Sequence, residues 1–382
     1  MSNLGTAAAA FLPSDGGLYL DCAAQAPRLR TVQAAGRAEQ AAADSAWQRG
    51  PLPPSVSTEQ LRTQAARLFD GDADALALVP SASYGIATAA RNLPLGPGEA
   101  VLVLEGQFPS NLLPWQQRCS ECAARLVGVG RQAGQDWTSA VLDALTREPR
   151  IRIVALPQVR WDDGELLDLD RIAGQVQVIG AALVLDLSQS LGVLPTNLDR
   201  WQPDFVVSVG YKWLLGPRAL AWLWAAPRWR EQGQPIEQHW SARDVGDSWH
   251  FPVAEMPPYR HGARRFDAGG LDDPVLLAMS GAGLAQVLEW TPAAIADALA
   301  IRTGALDAAL RTLGLADWIT PGHAPHITAL RPPERRFEAV SGALRSAGIA
   351  CTHRHGLLRI APHLHVDAAQ MSWAAQVAAS GR

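Results

Sequence analysis

Seven short runs of Val, Leu, Ile and Ala, at 75–80, 100–105, 125–130, 151–157, 182–186, 205–209 and 220–225, recur along the chain, with apolar residues at both alternate positions. A strand with one wet face alternates apolar and polar residues, whereas a strand covered on both faces does not. The segments 84–92, 111–124, 137–148 and 168–180 have the length and composition of crossover helices. The pattern predicts an α/β fold: a seven-stranded, mostly parallel sheet with helices on both faces. Only residues 211–219 separate the last two runs. A parallel crossover needs about a dozen residues or more, so this pair is expected to be antiparallel or non-adjacent.

From residue 257 the texture changes, and a Pro-, Gly- and Arg-rich passage leads into long helix-like segments at 275–290 and 294–313. Short strands at 326–330 and 356–360, a helix at 337–347 and a closing helix at 368–379 then describe a small α+β unit. The expected division is a large domain at 16–256 and a small domain at 257–382 that also takes up 1–15. A turn-forming Pro-rich loop is expected at 51–54.

A chain of 382 residues can bury a large core. Its formal net charge of −4 carries no basic patch, which argues against nucleic acid or an anionic membrane and for a small-molecule partner. The N-terminus has no basic region before its apolar residues, and no stretch reaches the roughly 18–20 apolar residues of a membrane span. A soluble, cytoplasmic protein is expected. Four cysteines suit a reducing compartment, and Cys119-x-x-Cys122 has no second ligand pair to make a metal site. The pairs His353/His355 and His363/His365 likewise lack a carboxylate or thiol to complete one, so no metal is expected.

In open α/β sheets, ligands gather beyond the carboxyl ends of the strands. After the first run comes Ser81-Ala-Ser-Tyr-Gly85, small residues at a helix start, where free N–H groups suit a phosphate and where Ser is also an ordinary N-cap. The fifth run ends in Asp186, with Gln189 three residues on. After the sixth come Tyr211 and Lys212. Of the 33 Lys and Arg residues, all but Lys212 are arginine. An amine can lose its proton and condense with an aldehyde, whereas a guanidinium cannot, so a chain built on arginine has a chemical reason to keep one lysine. A phosphate cradle, a carboxylate for a ring nitrogen and a Schiff-base lysine are the parts needed to hold pyridoxal 5'-phosphate.

Five segments carry a resemblance that covers almost the whole chain: Leu18-Tyr-Leu-Asp-Cys-Ala-Ala-Gln-Ala-Pro27, Val184-Leu-Asp-Leu-Ser-Gln-Ser-Leu-Gly192, Tyr211-Lys-Trp-Leu-Leu-Gly-Pro217, Arg264-Arg-Phe-Asp-Ala-Gly-Gly270 and Leu358-Arg-Ile-Ala-Pro-His363. The sequence resembles the aminotransferase class V family of fold-type-I pyridoxal-phosphate enzymes, which includes cysteine desulfurases, isopenicillin N epimerase-like proteins and kynureninases. The resemblance implies that Lys212 forms the internal aldimine, Asp186 pairs with the pyridinium nitrogen and Gln189 bonds the phenolic oxygen. It places Ala82 and Ser83 on the phosphate turn, joined by Tyr211, and puts Phe108 where a histidine commonly stacks on the ring. Arg359 takes the position that grips a substrate carboxylate, while Asn111 and Trp115 follow Phe108 in the substrate region. Trp240 and Trp249 are further candidates for an aromatic pocket.

The sequence also departs from the family pattern. Phe108 can stack but cannot exchange protons. Cys351 lies close before Arg359 in a strand-like context and reads as packing rather than as a desulfurase nucleophile. Gly269-Gly270 replaces Gly-Thr, so the side-chain contact to the phosphate that the resemblance implies across a dimer interface is missing, and Gly269 and Gly270 are expected to bind the cofactor through their backbone. The implied protein is a homodimeric, pyridoxal-phosphate-dependent aminotransferase-like enzyme acting on an amino-acid-like substrate. A lyase or epimerase is the alternative, and a non-catalytic descendant the competing class.

Overall fold

All seven apolar runs become strands of one sheet in the computed structural model, which describes residues 4–13, 16–43, 45, 47, 54–246 and 251–381. After a two-residue strand β1 (Leu18–Tyr19) come β2 (Leu76–Val79), β3 (Ala100–Leu104), β4 (Arg125–Val129), β5 (Ile151–Pro157), β6 (Ala182–Asp186), β7 (Phe205–Val209) and β8 (Ala221–Ala225). The sheet order is β2-β8-β7-β6-β5-β3-β4. Strands β3 to β7 pair in parallel, and β8 runs antiparallel to both its neighbours, β7 and β2. The short 211–219 connection therefore makes an adjacent antiparallel pair.

The unbroken apolar runs follow from a core on each face. Along β7, Val206 belongs to one core, whereas Phe205, Val207 and Val209 belong to the other. Along β2, Leu76 and Leu78 face the first core, and Ala77 and Val79 the second. Burying a large aliphatic or aromatic side chain stabilises by about 1.5–3 kcal/mol, so strands loaded on both faces are the most firmly held part of the molecule. The edge strand β4 is mostly half-buried or exposed.

The crossover helices are Ala82–Asn92, Leu113–Glu121, Trp137–Arg147 and Leu169–Ile179. The first lies so close to the sheet that a Cβ on Gly85 would stand 2.5 Å from Val207 Cγ1. Two further helices, Arg30–Ala43 and Pro54–Ala66, were not expected from the sequence. Pro54 opens the second, and the rest of the expected 51–54 loop lies outside the described residues.

Toward the C-terminus, β9 (Thr328–Leu330), β10 (Ile349–Ala350), β11 (Thr352–Arg354) and β12 (Leu357–Ile360) are packed by helices Pro292–Thr312, Glu334–Ser346 and Ala368–Ser380 around a third core. Strands β11, β12 and β9 form an antiparallel sheet, while β10 pairs in parallel with β1. Cys22 N–H also reaches Ala361 O at 2.9 Å. The opening segment, expected within the large domain, thus joins the C-terminal strands.

Candidate active site

The carboxyl ends of β2, β3, β5, β6 and β7 converge on a cleft with about 640 Å³ of empty space, its open mouth included. Each strand contributes polar or aromatic residues at its end or within about four residues past it. Asp186, the last residue of β6, is 8% exposed, and its Oδ1 accepts from Ser188 N–H at 3.0 Å. Lys212, three residues beyond β7, is 7% exposed. Its Nζ stands 5.5 Å from the Phe108 ring centroid and 5.9 Å from that of Tyr211. Burial pushes the lysine down from its ordinary 10.5 to about 8, against the pull of the Asp186 charge. Removal from water disfavours the ammonium more than a nearby carboxylate favours it, so the amine is available near neutrality.

At the end of β2, Ser81 caps the helix Ala82–Asn92 by accepting from Tyr84 N–H. Gly85 N–H goes to Ser81 O, so the first free donors are the N–H groups of Ala82 and Ser83. Ser83 Oγ meets Ser110 Oγ at 2.9 Å, and Ser110 lines the cleft. Gln189 also lines the cleft, with Nε2 donating to Ala23 O at 3.0 Å and Oε1 accepting from Trp213 Nε1 at 3.0 Å. Tyr211 carries the Arg218 guanidinium 4.5 Å over its ring, and burial raises its phenol above the usual range.

Lys212, Asp186, Gln189, Phe108, Tyr211 and Ala82 all line this cleft. Trp115 and Asn111 do not: Trp115 is fully buried in the core, where its indole N–H donates to Asn111 Oδ1 at 3.1 Å. The Trp115 indole four residues on meets the Asn111 amide oxygen alone and leaves Nδ2 buried without a partner, and neither residue lines the cleft, which corrects their expected place against the substrate. Gly269 and Gly270 are also off the cleft of their own chain. Gly269 N–H donates to Glu237, and a Cβ there would press on the His239 ring at 2.4 Å. Trp240 is 38% exposed, and Trp249 lies outside the described residues.

Arg359 sits on β12, 3% exposed, and is already engaged. Its Nη2 pairs with Asp21 Oδ1 at 2.7 Å, and its Nη1 donates to Trp161 O at 2.5 Å. Only Nε is buried without a partner. Cys351, next along the same surface, is half-buried, and burial pushes its thiol up to about 11. Such a thiol is almost wholly protonated near neutrality and is a poor nucleophile.

Among the described residues no group of three or more His, Cys, Asp or Glu is placed to hold a metal ion. His363 and His365 are packed around Phe11, while His353 lies against Phe337 and His355 against Trp161. No helix among the described residues is long and apolar enough to cross a membrane.

Sequence reasoning missed Trp161, Ser110, Gln107 and Asp21. Trp161 lines the cleft, donates its indole N–H to Gly106 O at 2.9 Å and packs edge-on to Phe108 at 5.4 Å. It lies four residues past β5, where the rule that singled out Asp186 and Lys212 applies equally. The segment Arg264–Gly270 has a structural role. Asp267 takes both Nη groups of the fully buried Arg62, at 3.1 and 2.7 Å, and also Leu78 N–H at 2.8 Å. Arg264 pairs with Glu59 and Asp74 at 2.7 and 2.6 Å. Together they clamp β2, whose end presents Ser81.

Residues 18–355 match the profile of the family Aminotransferase class-V. This chain belongs to the aminotransferase class-V family. Like its relatives there, it is an enzyme of the pyridoxal-phosphate-dependent kind. An uncharacterised aminotransferase of Bacillus subtilis is 24% identical over 310 residues, covering 81% of this chain and 79% of that protein. The isopenicillin N epimerase of Streptomyces clavuligerus is 27% identical over 224 residues, 56% of this chain and 54% of its own length. A kynureninase of Cryptococcus neoformans is 34% identical over 179 residues, 42% of this chain and 39% of the kynureninase. Among solved structures, a cysteine desulfurase of Escherichia coli superposes with a TM-score of 0.81 at 18% identity, covering 100% of this chain and 98% of that one. At that identity the likeness is one of fold, and it extends over the class-V protein from end to end.

Proposed function

We propose that the chain binds pyridoxal 5'-phosphate in this cleft, with Lys212 as its covalent anchor, and transfers a proton at the α-carbon of a small amino-acid-like substrate. The observation that carries this reading is Lys212 itself: a buried amine held at about 8, beside Asp186 and at the meeting of strand ends. The other residues fit the group. The N–H groups of Ala82 and Ser83 suit its phosphate, Asp186 keeps a carboxylate for its ring nitrogen, and Gln189 retains one uncommitted Nε2 hydrogen. Bound there, the cofactor supplies an electron-withdrawing ring that stabilises negative charge at the substrate's α-carbon. Phe108 offers a ring face for stacking.

The same residues narrow the reaction. Lys212 can both accept and return a proton near neutrality. Around it, Phe108 cannot ionise, the Trp161 N–H is committed to Gly106, and the Tyr211 phenol is raised by burial. This supports chemistry through a single base, as in transamination, with α,β-elimination second, over a two-base epimerisation. The raised, half-buried Cys351 thiol argues against desulfurisation by a cysteine nucleophile. Arg359 would meet a substrate carboxylate through the guanidinium hydrogens that Asp21 and Trp161 leave over. The reading includes a homodimer, consistent with the exposed apolar residues Phe251, Val253 and Met256, and keeps the cytoplasmic location expected from the sequence.

The test is spectral. Protein supplied with pyridoxal 5'-phosphate is expected to develop a visible band that amino acids perturb, with a keto acid as product. A protein that stays colourless, or a Lys212→Ala variant with the same band, would overturn the reading.

A further inference from the structure

Gln189 is held by two partners that each work in one direction only. The Trp213 indole N–H can only donate, so it must meet the amide oxygen, and Ala23 O can only accept, so it must meet the amide nitrogen. Both contacts are 3.0 Å. An amide side chain presents two similar ends, and its orientation is set by its hydrogen-bond network. Here that network leaves the second Nε2 hydrogen as the uncommitted donor of a side chain that lines the cleft.

Trp213 is itself fixed. It is 1% exposed, with the His326 ring edge-on at 4.5 Å and the His363 ring stacked at 5.7 Å with a 22° interplanar angle. His326 Nε2 lies 2.5 Å from Gln189 O, an acceptor, so that nitrogen carries the proton and ties the backbone of Gln189 to the same aromatic group. Gly192 has φ +93°, and a Cβ there would come within 2.7 Å of Trp213 O, so the two loops are seated backbone to backbone.

We infer that Trp213 is a positioning residue for Gln189: its indole N–H locks the amide so that a donor, and not the carbonyl oxygen, faces the bound ring. The inference deepens the proposed pyridoxal-phosphate reading, but its first test does not need the cofactor. In cofactor-free protein labelled with 15N-tryptophan, the Trp213 indole resonance is the one lost in Trp213→Phe. It is expected to move upfield in Gln189→Leu, which removes the acceptor. An unmoved resonance overturns the inference, whether or not the protein binds cofactor.

In cofactor-loaded protein, Trp213→Phe keeps the aromatic packing and removes the donor. The pH midpoint of the visible band is expected to rise by about 0.5–1 unit, because an amide held by Ala23 O alone turns and offers lone pairs to the ring oxygen part of the time. The same substitution in a Gln189→Leu background is expected to add nothing. A loaded Trp213→Phe protein with a lower Tm and an unchanged midpoint shows a packing role only and overturns the inference. Failure of the wild-type protein to take up cofactor counts against the proposed function, and the indole resonance then decides this point alone.

Discussion

At the residue scale, Lys212 is a cost to the empty fold. Its pKa falls from 10.5 to about 8 on folding, so between these values the unfolded chain binds more protons and stability rises with pH. Below about 8 the full penalty of burying an ammonium is present. Lys212→Met removes it, and the cofactor-free variant is expected to be more stable than wild type at pH 7 by about 2–3 kcal/mol, with the gap closing toward pH 10.5. Urea denaturation at pH 7 and pH 10 checks this; a variant less stable at pH 7 contradicts it. Under the proposed function, a stability loss of this kind at Lys212 is what a functional site costs a fold. The identity of this lysine was legible because the rest of the chain uses arginine. The state of Arg359 was not: its partner Asp21 lies 338 positions away, and no local pattern reports such a pair.

At the scale of elements, the strands were legible because burial on both faces writes itself into composition, whereas the length of one loop left β8 either antiparallel to β7 or apart from it, and the structure takes the first. Helix Arg30–Ala43 was not, because it buries little of its own surface, chiefly Val32 and Gly36, and packs against Pro274–Trp290, far along the chain. The clamp on β2 gives two expected outcomes. Asp267→Ala leaves Arg62 buried without its partner and Leu78 N–H unmet, at a cost of about 3–5 kcal/mol measured by chemical denaturation. Cofactor uptake is expected to weaken with it, since β2 presents the turn at Ser81. Gly85→Val drives a side chain into Val207 and is expected to cost at least about 1–3 kcal/mol; an unchanged Tm would contradict the close approach of helix and sheet.

Across the whole molecule, an acid limit follows from the same clamp. Burial alone would raise the Glu59 carboxyl, but Arg264, Arg62 and Arg260 outweigh it and hold it at about 2, against an ordinary 4.5. A carboxylate lowered on folding stabilises fully above 4.5, and that contribution is lost as pH falls toward 2. Wild-type protein is therefore expected to lose stability across this window, and Glu59→Gln to show a shallower pH dependence there. Equal slopes would contradict it. The molecule as a whole brings residues from five strand ends, and from a stretch of chain nearly 200 residues distant at Ala23, to one lysine. The most direct measurement uses the fact that there is only one. Protein loaded with pyridoxal 5'-phosphate, reduced with borohydride and mapped by peptide mass is expected to carry a pyridoxyl group on Lys212. No label, or label confined to the N-terminal amine, would contradict the assignment of this cleft.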